Sequence, residues 1–151
     1  MLCLGVVTLL PEILDALNYG IVGRSIKQGL VKVEHWNPRD WAPGVHHQVD
    51  DKPYGGGPGM VMMYKPLAQA IQHAKNKMPA TCKTIYLSPQ GRQVSQDDLR
   101  MVAKNQQPLL FLSGRYEGID ERVITKLVDE EWSIGDFVLS GGELAAMVFI
   151  D

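Results

Sequence analysis

No apolar run in this sequence is long enough to cross a bilayer. The opening stretch, MLCLGVVTLLPEIL, is apolar, but it has no basic flank, Pro11 and Glu12 interrupt it, and no small-residue cleavage site follows, which argues against a secretory signal. Cysteine is scarce. Cys3 and Cys82 stand in separate apolar stretches without CxxC spacing or a nearby histidine pair, which argues against a disulfide framework or a zinc site. The expectation is a cytoplasmic protein with no membrane attachment.

Several chemical signatures are missing too. GGGPG at 55–59 does not continue as GxGxxG, and no GxxxxGKS or GxxxxGKT occurs, so the dinucleotide and P-loop fingerprints both fail. Ser140 in LSGG lacks the glycine two places before it that a nucleophile elbow needs. HExxH is absent.

What is present fits one globular domain: 151 residues, 45% apolar and 21% charged. Short apolar runs, LGVVTLL, LVKVEHW, KTIYLS, LLFLS and DFVLS, alternate with helical patterns and end in Gly, Pro or Ser, the rhythm of an α/β fold. Pro11 can open a helix that Gly20 closes, and Pro66 another through LAQAIQHAKNK. Ser95 and Asp98 have capping-box spacing ahead of DDLRMVAKNQ. A last helix is predicted after Gly142, through ELAAMVFID; it stops while still apolar and without a terminating residue, and reads as a cut rather than a natural end.

Charge is unevenly spread. The net formal charge is only −2, yet residues 1–116 hold 13 Lys and Arg against 8 Asp and Glu, whereas residues 117–151 hold 2 against 9. Arg24, Lys27, Lys32 and Arg39, followed by His46 and His47, are the candidates for a phosphate-facing patch; a merely solvated surface is the competing reading. Between Asn37 and Gly59, four prolines and five glycines show no strand or helix pattern, and loops of such length in compact domains are commonly functional.

Three stretches share one design, a strand running into a loop of small residues: YLSPQGR (86–92), FLSGRYEGIDER (111–122) and SIGDFVLSGGE (133–143). Open α/β sheets bind ligands beyond the carboxyl ends of their strands, where loop backbone faces the ligand, and small residues permit close approach. One shared cleft is the functional reading; ordinary glycine turns are the alternative.

Together with DDKPYGGGPGM, these stretches resemble, in order and spacing along essentially the whole chain, bacterial tRNA (guanine-N1)-methyltransferases of the SPOUT class. The resemblance implies an α/β domain with an open, mostly parallel sheet flanked by helices, a deep trefoil knot in its C-terminal half, and a homodimer with a composite active site. It implies S-adenosylmethionine as methyl donor, tRNA as partner, and room for a magnesium ion. The donor would lie against Tyr86, Leu87, Ser88, Pro89, Gln90 and Gly91 of the first loop and Ser113, Gly114, Tyr116, Glu117 and Gly118 of the second. Ser133, Ile134, Gly135, Asp136, Phe137, Val138, Leu139, Gly141 and Gly142 of the third would complete the pocket. Glu117 would attract the sulfonium, although an acid near the start of the helix in IDERV is an equal reading of the residue itself.

For tRNA, the resemblance points to Arg24, His46, Asp50, Asp51, Pro58, Gly59 and Arg115, with Asp50 or Asp51 facing a guanine edge; without the resemblance these two aspartates read as turn residues before Pro53. It further implies that the catalytic base and the helical tRNA-gripping domain follow residue 151, so this chain is expected to bind the donor and transfer methyl negligibly. Ala145 and Phe137 depart from the family's usual proline and tyrosine. A SPOUT enzyme acting on another RNA position, or a non-catalytic nucleotide-binding module of flavodoxin-like fold, remain the alternatives.

Overall fold

The computed structural model describes residues 1–53 and 55–151; Tyr54, within the DDKPYGGGPGM motif, lies outside the described residues. Strand β1 (Leu2–Val7) leads through a 3-10 helix at Pro11–Asn18 into α1 (Gly20–Lys27) and β2 (Val31–Trp36). After a 3-10 turn at Pro38–Trp41 come the two-residue strands β3 (Asp50–Asp51) and β4 (Val61–Met62), an antiparallel pair, and then α2 (Tyr64–Lys77). The second half alternates β5 (Lys83–Gln93), α3 (Gln96–Asn105), β6 (Leu109–Leu112), α4 (Glu121–Leu127), β7 (Glu130–Ser133) and α5 (Glu143–Ile150).

The main sheet has five strands in the order β2-β1-β6-β5-β7, and every pairing is parallel. Helices cover both faces, as the near-continuous apolar strands require. Alternation along the strands divides the core: Val7, Leu110 and Leu112 join Leu67, Ala70, Ile71 and Ala74 of α2 and Val123 of α4 on one face. Val6, Leu109 and Phe111 join Leu14, Leu17, Ala145 and Ala146 on the other. In α2 the buried residues recur at i, i+3, i+4 and i+7, the stripe that docks a helix on a sheet, and truncating Leu67 or Ile71 to alanine would cost about 2–5 kcal/mol. α5 is anchored by Phe149, stacked on Phe111 at 6.0 Å and edge-on to Trp132 at 5.5 Å.

The α/β reading holds, as does the capping box: the Ser95 side chain accepts from Asp98 N–H at 3.2 Å while the Asp98 carboxylate accepts from Ser95 N–H at 2.8 Å. Three expectations need correction. DFVLS is loop, not strand; the strand is EEWS just before it, where Trp132 packs into the core beneath β5. The helix opened by Pro11 is a 3-10 helix, and Gly20, at φ +66°, starts α1 rather than ending a continuous helix. The Asn37–Gly59 segment carries the 3-10 turn and β3, because Asn37 Oδ1 accepts from Arg39 N–H and Asp50 and Asp51 pair with β4. Among the described residues no helix is long and apolar enough to cross a membrane.

Candidate functional site

β6, β5 and β7 are neighbours, so the loops leaving their carboxyl ends are forced together. The first is a bulge inside β5: both Leu87 and Arg92 register with Trp132, so the residues between them leave the ladder. The second runs 113–120 from β6 to α4, and the third 134–142 from β7 to α5. They enclose a cleft of about 460 Å³, within the range of small-molecule sites.

Close backbone packing makes this geometry possible. A Cβ on Gly142 would stand 2.8 Å from Ser113 Cα, and Gly142 N–H donates to Gly114 O at 3.0 Å, tying the third loop to the second. Inside the third loop, the buried Ser133 hydroxyl donates to Gly135 O at 2.8 Å and accepts from Gly135 N–H at 3.0 Å. In the first loop, Ser88 Oγ accepts from Gln90 N–H. Tyr116 holds φ +63°, an uncommon conformation for a bulky residue and one found where surrounding structure over-determines it.

Of the residues assigned to the donor, Gly91, Ser113 and Asp136 stand off the cleft wall and all the others line it. Gly91 is small because β7 backbone lies 2.6 Å from where its Cβ would be. Ser113 is fully buried under Gly142, and Asp136 is exposed. Glu117 lines the cleft, while the cap of α4 is Asp120, whose side chain accepts from Arg122 N–H; the helix-start reading of Glu117 therefore falls to another residue.

The RNA candidates are more dispersed. Arg115 lines the cleft; Arg24, on α1, and His46 are exposed elsewhere. Asp50 and Asp51 form β3, and Asp51 Oδ1 accepts from Lys52 N–H. Pro58 is exposed, but Gly59 abuts the second loop: a Cβ there would collide with Glu117 Cγ, and Glu117 N–H donates to Met60 O at 2.8 Å. The glycine-rich motif thus ends against the cleft wall. In the basic patch, Arg39 Nη1 donates to Leu9 O, and the half-exposed Lys32 pairs with Glu34.

Sequence reading missed three acids. Glu121 and Glu131 line the cleft with Glu117, giving three carboxylates and suiting a cationic ligand. Glu121 is the first residue of α4, directly after the second loop, and Glu131 belongs to the strand that went unrecognised. Burial, followed by the charges of Glu131 and Glu121, pushes the Tyr86 hydroxyl up from its ordinary value of 10.0. The third acid, Glu143, is wholly buried and bonded to Arg115 Nε at 2.5 Å. Burial raises its carboxyl above the ordinary value, with Arg115 pulling the other way. Among the described residues, no group of three His, Cys, Asp or Glu is arranged to hold a metal ion.

The class defined by fold and site is an open parallel α/β domain with a glycine-lined, acid-bearing cleft at the carboxyl ends of its strands. Residues 2–151 match the family described as tRNA (Guanine-1)-methyltransferase TrmD, and the chain belongs to that family. A tRNA (guanine-N(1)-)-methyltransferase of Legionella pneumophila subsp. pneumophila is 68% identical over 148 residues, which are 98% of this chain and 59% of that protein. Proteins of the same description from Pseudomonas putida (strain GB-1) and Blochmanniella floridana are 57% and 54% identical, over 99% and 98% of this chain and 60% of each of those proteins. The chain spans about three fifths of the length of the curated relatives it matches.

Proposed function

We propose that the chain is the S-adenosylmethionine-binding domain of an enzyme that methylates N1 of the guanosine at tRNA position 37, directly 3′ of the anticodon. The convergence of three sequence-distant loops on one cleft is the observation that carries this reading. Backbone of Ile134, Gly135, Phe137 and Leu139 would hold the adenine edge, with Leu87 and Pro89 against its faces. Glu117, aided by Glu121 and Glu131, would offset the donor's positive charge, an interaction that strengthens away from bulk water. S-Adenosylmethionine supplies a methyl group on a sulfonium leaving group. The protein's work is to hold that carbon in line with guanine N1 and to provide a base for the N1 proton.

Gly59, packed on Glu117, supports the notion that 50–59 borders the guanine pocket. A knotted C-terminal half and a homodimer belong to the same proposal. It is supported by the third loop's return across the strand ends to place α5 on the far side of the sheet, and by exposed Phe137 and Val138 at the cleft rim. The base and the tRNA-gripping domain are proposed to lie beyond residue 151, so this chain alone should methylate tRNA negligibly; turnover close to that of a full-length relative would refute that part. Isothermal titration of the chain with S-adenosylmethionine tests the main reading: a saturable heat is expected, with none from flavin or ATP, and its absence would overturn the assignment.

A further inference from the structure

We infer that Glu143 is a positioning residue for Arg115: its buried carboxylate grips Nε so that the terminal guanidinium nitrogens are presented at the cleft to a phosphate of the RNA that carries the target guanine. This rests on the tRNA reading above and adds to it a residue outside the cleft wall. Glu143, first residue of α5, has no exposed surface, and its Oε1 lies 2.5 Å from Arg115 Nε. Taking two charges out of water costs several kcal/mol per ion, so such a pair is poor evidence of a stability role.

Its form also argues for another purpose. An Arg–carboxylate pair built for strength closes two parallel bonds. Here Glu143 meets Arg115 only through Oε1 and Nε, and the buried Thr8 hydroxyl also bonds its carboxyl. Arg115 Nη1 reaches only Ser140 O and Oγ, at 3.4 and 3.5 Å, the outer limit of a hydrogen bond. The side nitrogen is committed while the end of the fork is nearly unused.

The rest of Arg115 is fixed. Its guanidinium lies on Gly141, where a Cβ would collide with Nε and Cζ, and its backbone N–H points to Met62 Sδ at 3.3 Å. Among the described residues lining the cleft it is the only cation, two positions from Glu117. A planar, pre-oriented fork suits a phosphate arriving with the RNA, while the three carboxylates of the cleft suit the positive donor.

The test compares the full-length protein carrying this domain with its Arg115→Ala, Arg115→Lys, Glu143→Gln and Arg115→Ala/Glu143→Gln variants. Each is assayed for binding to an anticodon stem–loop RNA with guanosine 3′ of the anticodon, across a salt series and with S-adenosylmethionine present, beside donor affinity and the ligand-free melting midpoint. Arg115→Ala and Glu143→Gln should each weaken RNA binding and lower the salt slope by about one. The double variant should be no weaker than Arg115→Ala alone, since Glu143 acts through Arg115. Arg115→Lys, charged but unable to use Nε, should behave like Arg115→Ala, which keeps the test decisive if the Glu143 variant fails to fold.

A merely structural Glu143 would lower the midpoint and leave the slope unchanged, overturning the inference. Full RNA binding by Arg115→Lys would overturn it equally. In both cases a retained donor titration leaves the donor assignment standing, so the two failures are distinguishable.

Discussion

Two glycines of one loop separate conformation from contact. Gly56 and Gly59 both hold positive φ, +93° and +81°, but Gly56 has open space where a Cβ would go and Gly59 has the Glu117 side chain. Alanine at either position should cost about 1–2 kcal/mol of backbone strain. Only Gly59→Ala should also displace Glu117 and weaken S-adenosylmethionine binding, which titration of the two variants would show. Equal loss of affinity in both would mean that loop strain, not the Glu117 contact, matters. Glu143 behaves unlike most acids: because burial raises its carboxyl above the ordinary 4.5, its contribution to stability is greatest below that pH and is lost as pH rises through the folded-state value. Glu143→Gln should therefore flatten the melting midpoint across that rise.

At the scale of elements, α3 depends on its first turn. It buries no residue fully, so its capping box matters more than it would for a helix held by packing. Ser95→Ala should cost about 1 kcal/mol and lower the midpoint by roughly 2–4 °C, measurable by calorimetry. Hydrogen bonds from the Ser95 backbone and hydroxyl, with Arg92 beside them, hold the Asp98 carboxyl below its ordinary 3.8. That contribution is present above pH 3.8 and disappears as pH falls through the folded value, so the difference between Ser95→Ala and wild type should shrink in acid. A difference independent of pH would show that the hydroxyl acts without Asp98. β7 illustrates why one element escaped sequence reading: at the sheet edge, Glu130 and Glu131 are tolerated half-exposed, and charges on edge strands disguise the apolar signal. DFVLS has better strand composition but no strand partner, its place beyond β7 being cleft wall.

For the molecule as a whole, ligand linkage gives a second check on the proposed donor. At a hundred times its dissociation constant, a ligand bound only by the folded state adds about 2.7 kcal/mol. For about 150 residues that is a rise in midpoint of roughly 5–11 °C. S-Adenosylmethionine should produce it and flavin should not; an unmoved midpoint at saturating donor would count against the cleft as its site.

The chain's order of residues determined what local physics can encode: alternating strand and helix patterns, the Ser95 box, the helix through LAQAIQHAKNK, although it opens at Tyr64 and not at Pro66, the Gly142 start, and the motifs whose family the comparisons show. Those features act within a few residues, so their spacing is visible in one dimension. Tertiary structure alone decided which loops meet, that Gly59 rests on Glu117, and that Arg115 is held by an acid 28 positions away. Such contacts depend on strand order and on close backbone approach, and a hydrophobic period records which face of an element is buried without recording what buries it.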